Sequence, residues 1–117
     1  MASVIIADDS VKSRNILARI VRRYNRDTLI DEVGNGRDLV KMVRTGGYAF
    51  VITDNNMPEL TGLVATEQIR AFNPQIPICM ITASDSYDDA MRVGVTDYIP
   101  RTLLLEMGLL DLLSKYI

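Results

Sequence analysis

The sequence predicts an α/β fold: five parallel strands forming one sheet, with helices covering both faces. Three observations predict it. Short apolar runs such as Val4-Ile5-Ile6-Ala7 and Phe50-Val51-Ile52-Thr53 read as strands buried on both sides. These runs alternate with segments of helical pattern five times along the 117 residues. Glycine, proline and asparagine punctuate the junctions, leaving only short connections.

The elements follow in order. A strand near 3–7 leads to a helix near 10–24, where Ser10 can cap the first turn by accepting a backbone N–H. A strand near 28–33 precedes a helix near 37–45 opened by Asn35-Gly36, and a third strand occupies 50–53. A helix near 62–72 comes next. Pro74 and Pro77 then bracket the start of a strand near 76–81, a position where proline is tolerated. A short helix near 85–93, a strand near 95–99 and a helix near 103–116 complete the chain. Gly46-Gly47 and Gly94 mark helix exits. There is no internal repeat or linker, so residues 1–117 are expected to form one domain, and 48% hydrophobic content supports a core. Five strands suit the flavodoxin-like, doubly wound order 2-1-3-4-5, which sets strands one and three side by side.

Composition excludes several classes of function. Thirteen Lys and Arg against 15 Asp and Glu give a net charge of -2, which argues against a dedicated nucleic-acid binder. The single cysteine, Cys79, lies in the apolar run Ile78-Cys79-Met80-Ile81 and is expected to be buried and inert, consistent with a reducing, cytoplasmic setting. The chain starts almost directly with a strand, and no apolar stretch is long enough to span a bilayer, so no membrane association is expected. Met1 reads as a true N-terminus, and an output domain beyond Ile117 is left open. Histidine is absent, so the chain has no imidazole base and cannot carry a phosphohistidine.

The informative residues are three aspartates at strand ends. The first strand runs into Asp8-Asp9 and the third into Asp54. In an open parallel sheet the ligand crevice lies outside the carboxyl ends of the strands, where the two sites can converge. Carboxylates so close repel one another unless a positive charge sits between them, which points to a hard divalent cation. Taken singly, each feature has an ordinary explanation. Asp8-Asp9 can cap a helix, Asp54-Asn55-Asn56 can form a turn, Thr82 can be a strand-end hydroxyl and Tyr98 a half-buried aromatic. None of these explains why the acidic clusters end the two strands that the topology places together.

Asp54-Asn55-Asn56-Met57-Pro58 with Gly62, Thr82-Ala83-Ser84, Gly94-Val95-Thr96-Asp97-Tyr98 and Ile99-Pro100-Arg101 fall in order on successive strand ends. With Asp8-Asp9 they resemble the receiver domain of two-component response regulators over the whole chain, most nearly the single-domain chemotaxis type. The resemblance implies a phosphoryl-accepting signalling switch, not an enzyme with an external substrate. It implies that Asp54 is the phosphoacceptor, Asp9 a direct metal ligand and Asp8 an acid acting through water. Asn56 would give its backbone carbonyl to the metal, and Thr82 its hydroxyl to the phosphoryl group. Tyr98 would be the aromatic switch. It further implies one Mg2+ ion and a histidine kinase or histidine phosphotransfer partner. Elementary chemistry agrees, since a carboxylate attacks phosphorus well only when the phosphoryl charge is neutralised.

Two positions depart from the family. Arg101 stands where lysine is usual, and a planar guanidinium is not equivalent to a compact ammonium. Thr102 occupies the usual proline place while Pro100 precedes the cation. The Arg101–Thr102 bond is expected to be trans, the loop to differ from the family, and coupling to Tyr98 to be altered. A rival reading follows, a degenerate receiver acting as a phosphorylation-independent interaction module. A magnesium-dependent phosphatase is a second rival, opposed by Asn56 where such enzymes place an acid.

Two surfaces stand out. In the last helix Leu105, Leu109, Leu112 and Tyr116 form a stripe expected to face the sheet. Leu103, Met107 and Leu110 form a second stripe expected to serve a homodimer or output partner. The first helix carries Lys12, Arg14, Arg19, Arg22 and Arg23, with Arg26 just beyond, a basic face suited to docking the phosphoryl donor.

Overall fold

The protein is described here by a computed structural model over residues 2–102 and 105–117. Strand β1 (Ser3–Ala7), helix α1 (Val11–Tyr24), β2 (Leu29–Val33), α2 (Gly36–Thr45) and β3 (Phe50–Thr53) form the first half. Helix α3 (Gly62–Phe72), β4 (Ile78–Thr82), α4 (Tyr87–Val93), β5 (Asp97–Pro100) and α5 (Leu105–Tyr116) form the second. All strands pair in parallel in the order β2-β1-β3-β4-β5, the arrangement the alternation predicts.

The two faces of the sheet follow from strand periodicity. Ile5, Ala7, Val51, Ile78 and Met80 point toward α2, α3 and α4. Val4, Ile6, Phe50, Ile52, Cys79 and Ile81 point the other way, beneath α1 and α5. From Val4 to Ala7 in β1 and throughout β3 and β4 every residue is buried, which is why Val4–Ala7, Phe50–Ile52 and Ile78–Ile81 read as unbroken apolar runs. Burial pushes the Cys79 thiol far up, with Asp97 adding to the shift, so it stays protonated and inert.

Boundaries differ from expectation where local hydrogen bonding decides them. β4 begins at Ile78 because Pro77 has no N–H for the ladder, although its carbonyl still accepts from the Val51 N–H at 2.9 Å. β5 begins at Asp97, since the Val95 N–H turns back to the Ala90 carbonyl at 3.0 Å behind left-handed Gly94 (φ 102°). Ser10 caps α1 as predicted, accepting the Ser13 N–H at 3.2 Å.

Helix α5 corrects one stripe. Its central buried row is Leu105, Leu109 and Leu113, spaced by four, with Leu112 and Tyr116 partly buried beside it. Rows at i, i+4 and i+8 run nearly along the helix axis, so Leu113 takes the place assigned to Leu112. Tyr116 stacks on Phe50 with centroids 5.5 Å apart and donates to Asp97 Oδ2 at 2.9 Å. Leu110 also packs against this core, leaving Met107, 67% exposed, as the outward residue of the second stripe among those described. Leu103 lies outside the described residues, as does the expected start of the helix.

Candidate functional site

The site is assembled by strand register. Ala7 pairs with Thr53 at the ends of β1 and β3, and the Asp54 N–H extends the ladder to the Ala7 carbonyl at 2.9 Å. Asp8 and Asp54 therefore emerge side by side at the carboxyl edge of the sheet. Asp9 follows on the exposed turn. One carboxylate oxygen from each of the three lies within 4.8 Å of the others. All three offer hard oxygen donors at a separation a single divalent cation can bridge, so the donor set fits Mg2+.

Each carboxylate has a different environment. Asp8 is 2% exposed, and its oxygens are occupied. Oδ1 accepts the Ser10 N–H at 3.0 Å, while Oδ2 accepts the Ser13 hydroxyl at 2.6 Å and the Arg101 guanidinium at 3.1 Å. Its carbonyl accepts from Arg14 at 2.6 Å, and Arg14 Nε lies 3.4 Å from Glu32. Asp54 is half-buried, and its Oδ1 accepts the Asn55 N–H at 2.7 Å. Burial raises the Asp54 carboxyl above its ordinary 3.8, and the neighbouring Asp8 charge adds to this. The Asn55 N–H, the Thr82 hydroxyl and the Arg101 charge oppose the rise.

The loop after β3 is held by its own polar groups. Buried Asn55 accepts the Leu63 N–H on its side chain at 3.1 Å and the Gly62 N–H on its carbonyl at 2.9 Å. These bonds draw the start of α3 against the acidic residue. A Cβ on Gly62 would stand 2.2 Å from the Asp54 carbonyl oxygen, so only glycine fits. Asn56 lies exposed on the same loop.

Thr82, Tyr98 and Arg101 converge from β4 and β5. Buried Thr82 places Oγ1 3.0 Å from the Ser84 hydroxyl, which is 3.1 Å from that of Ser86. Tyr98 donates to the Ser84 carbonyl at 2.6 Å and accepts the Ser86 N–H at 3.1 Å, while Tyr87 meets its ring edge-on. The phenol thus clasps the loop between β4 and α4. Arg101 leaves the sheet with its N–H on the Thr82 carbonyl at 3.1 Å. Peptide bonds among the described residues are all trans, Arg101–Thr102 included. A mouth of about 310 Å³ opens between the aspartates and Arg101, with Lys12 on its rim.

Sequence reasoning missed Ser13, Ser84 and the structural work of Asn55. Ser13 was legible as the first-turn residue three after the cap. Ser84 carried no signal beyond its place two residues after Thr82.

The response regulator receiver domain family matches residues 4–115. The chain belongs to this family. Among curated relatives, the transcriptional regulatory protein ZraR of Escherichia coli K12 is 27% identical over 103 residues, covering 86% of this chain and 23% of ZraR. The chain thus spans about a quarter of that relative's length. The response regulator TrrA of Thermotoga maritima, solved in complex with Mg2+ and BeF, superposes with a TM-score of 0.88 at 24% identity, covering 100% of both chains. The Saccharomyces cerevisiae receiver Ssk1, solved with the histidine phosphotransfer protein Ypd1, superposes at 0.85 with 25% identity, covering 98% of this chain and 88% of that one. The chain is accordingly a two-component receiver domain, and receiver domains are signalling switches rather than classical enzymes. Among the described residues no helix is long and apolar enough to cross a membrane.

Proposed function

We propose that residues 1–117 act as a cytoplasmic phosphoryl-accepting switch, with Asp54 as the acceptor and a histidine kinase or histidine phosphotransfer protein as donor. One observation carries the reading: the carboxylates of Asp8, Asp9 and Asp54 meet within 4.8 Å at the ends of adjacent strands. A carboxylate oxygen of Asp54 attacks phosphorus as the P–N bond of the donor's phosphohistidine breaks, and the departing imidazole takes up a proton. Residues 1–117 contain no histidine, so the donor histidine lies outside them.

Asp9, Asp54 and the Asn56 carbonyl would hold Mg2+, with Asp8 acting through water. When bound, the ion offsets the charge of the phosphoryl oxygens. Thr82 and Arg101 are the donors for the new oxygens. The Thr82 hydroxyl lies 3.0 Å from that of Ser84, and Ser84 is the residue whose carbonyl Tyr98 holds. That short chain of contacts supports Tyr98 as the switch. The Ssk1 complex supports a phosphotransfer partner, for which the exposed Arg19, Arg22 and Arg26 of the α1 region form a basic docking face. Met107 on α5 is the apolar candidate for a homodimer or output contact.

Acetyl phosphate with Mg2+ tests the reading. Intact mass should rise by one phosphoryl group in the wild type and not in Asp54→Asn; no gain in the wild type overturns it. The interaction-module reading has one observation in its favour, that Arg101 is already engaged by Asp8. It predicts that same absence of added mass.

A further inference from the structure

The Arg101–Asp8 pair joins residues 93 positions apart and closes one side of the mouth. Arg101 is substantially buried, its side chain 28% exposed, and its guanidinium lies 3.1 Å from Asp8 Oδ2. That oxygen also accepts the Ser13 hydroxyl, and Oδ1 accepts the Ser10 N–H. The Asp8 carboxylate is therefore well supplied with donors before any cation arrives. Its buried position makes the pairing consequential, because a buried carboxylate without a positive partner is strongly destabilised. A lysine would bring its charge as a compact ammonium on a flexible stem, whereas the guanidinium is planar and here reaches Asp8 through one of its nitrogens.

We propose that Arg101 is a positioning residue that competes with the divalent cation for Asp8, holding the metal site at reduced affinity until the phosphoryl group draws the guanidinium away. This rests on the reading of the acidic cluster as the Mg2+ site. Two charges of the same sign then contend for one buried carboxylate. Cation binding weakens the ion pair, and the ion pair weakens cation binding by the same factor. Phosphorylation resolves the conflict, because the phosphoryl oxygens offer Arg101 a second anionic partner and leave Asp8 to the cation.

The test is calorimetric titration of the full chain with MgCl2. Arg101→Met keeps an apolar stem but removes the charge, and should tighten Mg2+ binding by about tenfold, the size expected for a unit charge within a few ångströms of a divalent ion in a water-filled mouth. Arg101→Gln guards against a folding defect in the first variant and should change affinity in the same direction. Lys12→Met removes an equal charge from the rim of the same mouth, where no bond to Asp8 is made. It should improve affinity by clearly less, because only the general field changes. Equal gains for Lys12→Met and Arg101→Met, or no gain in either Arg101 variant, overturn the competition. Asp9→Asn separates the two levels of argument. If wild type binds Mg2+ and Asp9→Asn does not, the metal site stands and the Arg101 comparison decides the competition alone. If neither the wild type nor any Arg101 variant binds, the metal site and the competition fall together.

Discussion

Adding one methyl group at two glycines should move stability in opposite directions. At Gly62 a Cβ would stand 2.2 Å from the Asp54 carbonyl oxygen and 3.0 Å from Asn55 Cα, both backbone atoms. A carbon and a carbonyl oxygen rest comfortably at about 3.3 Å, so the start of α3 must withdraw from the loop by about 1 Å. That movement stretches the Gly62 N–H bond to the Asn55 carbonyl and the Leu63 N–H bond to the Asn55 side chain. Each of the two bonds contributes about 1 kcal/mol, and overpacking adds about 1–3, giving an expected loss of roughly 3–5 kcal/mol for Gly62→Ala. At Gly108, inside α5, the nearest atom to an added Cβ is the flexible Ile99 Cδ1 at 3.5 Å, an ordinary contact. There Gly108→Ala should stabilise by about 0.5–1 kcal/mol through helix propensity. Urea unfolding followed by far-ultraviolet circular dichroism reads both. A neutral Gly62→Ala, or two shifts of the same sign, would refute the claim that α3 is pressed against the acidic loop.

Three further outcomes follow from particular contacts. Thr66 is fully buried with no partner for its hydroxyl among the described residues, so Thr66→Val should raise unfolding free energy by about 1 kcal/mol. Tyr98→Phe removes the bonds to the Ser84 carbonyl and the Ser86 N–H and should cost about 1–2 kcal/mol. Hydrogen exchange should show faster exchange at Ser86 in that variant, with the β1–β3 ladder unchanged. Asp54 has a raised carboxyl, so the folded state binds its proton more tightly than the unfolded chain does. Its ionisation therefore subtracts stability as pH rises from the ordinary 3.8 through the higher folded value, and the penalty persists at neutral pH. Asp54→Asn should be the more stable protein at pH 7 in chelator, with the difference shrinking at acidic pH; a difference that grows on acidification would contradict the cause assigned to the shift.

The fold was legible because its decisive signals are local. Val4–Ala7 and Phe50–Ile52 are apolar at every position, a pattern that two-sided cover explains, and Ser10 and Gly94 begin or end helices by their own chemistry. The acidic cluster was legible because register follows once β1 and β3 are neighbours. What remained hidden depends on distance or on slight rotation. The row Leu105-Leu109-Leu113 differs from the expected stripe by a turn of α5 too small for periodicity to resolve. The grip of Arg101 on Asp8 joins the last strand to the first, and no local pattern announces it. Asn55 looked like a turn former, yet both its carbonyl and its side chain hold α3 in place.

The departures at Arg101 and Thr102 bear on the two halves of the site unequally. Tyr98 already holds the loop between β4 and α4 through two hydrogen bonds, and Thr82 is tied into the same loop through Ser84. That half depends on hydroxyls and backbone groups, and the change from lysine to arginine leaves them intact. Arg101 instead reaches across to Asp8, on the metal side, while its backbone N–H stays on the Thr82 carbonyl. Arg101, one of the two residues that depart from the family, thus touches both halves. If the guanidinium must leave Asp8 to meet a phosphoryl oxygen, the pull passes through that backbone bond to β4, and from there to the loop that Tyr98 clasps.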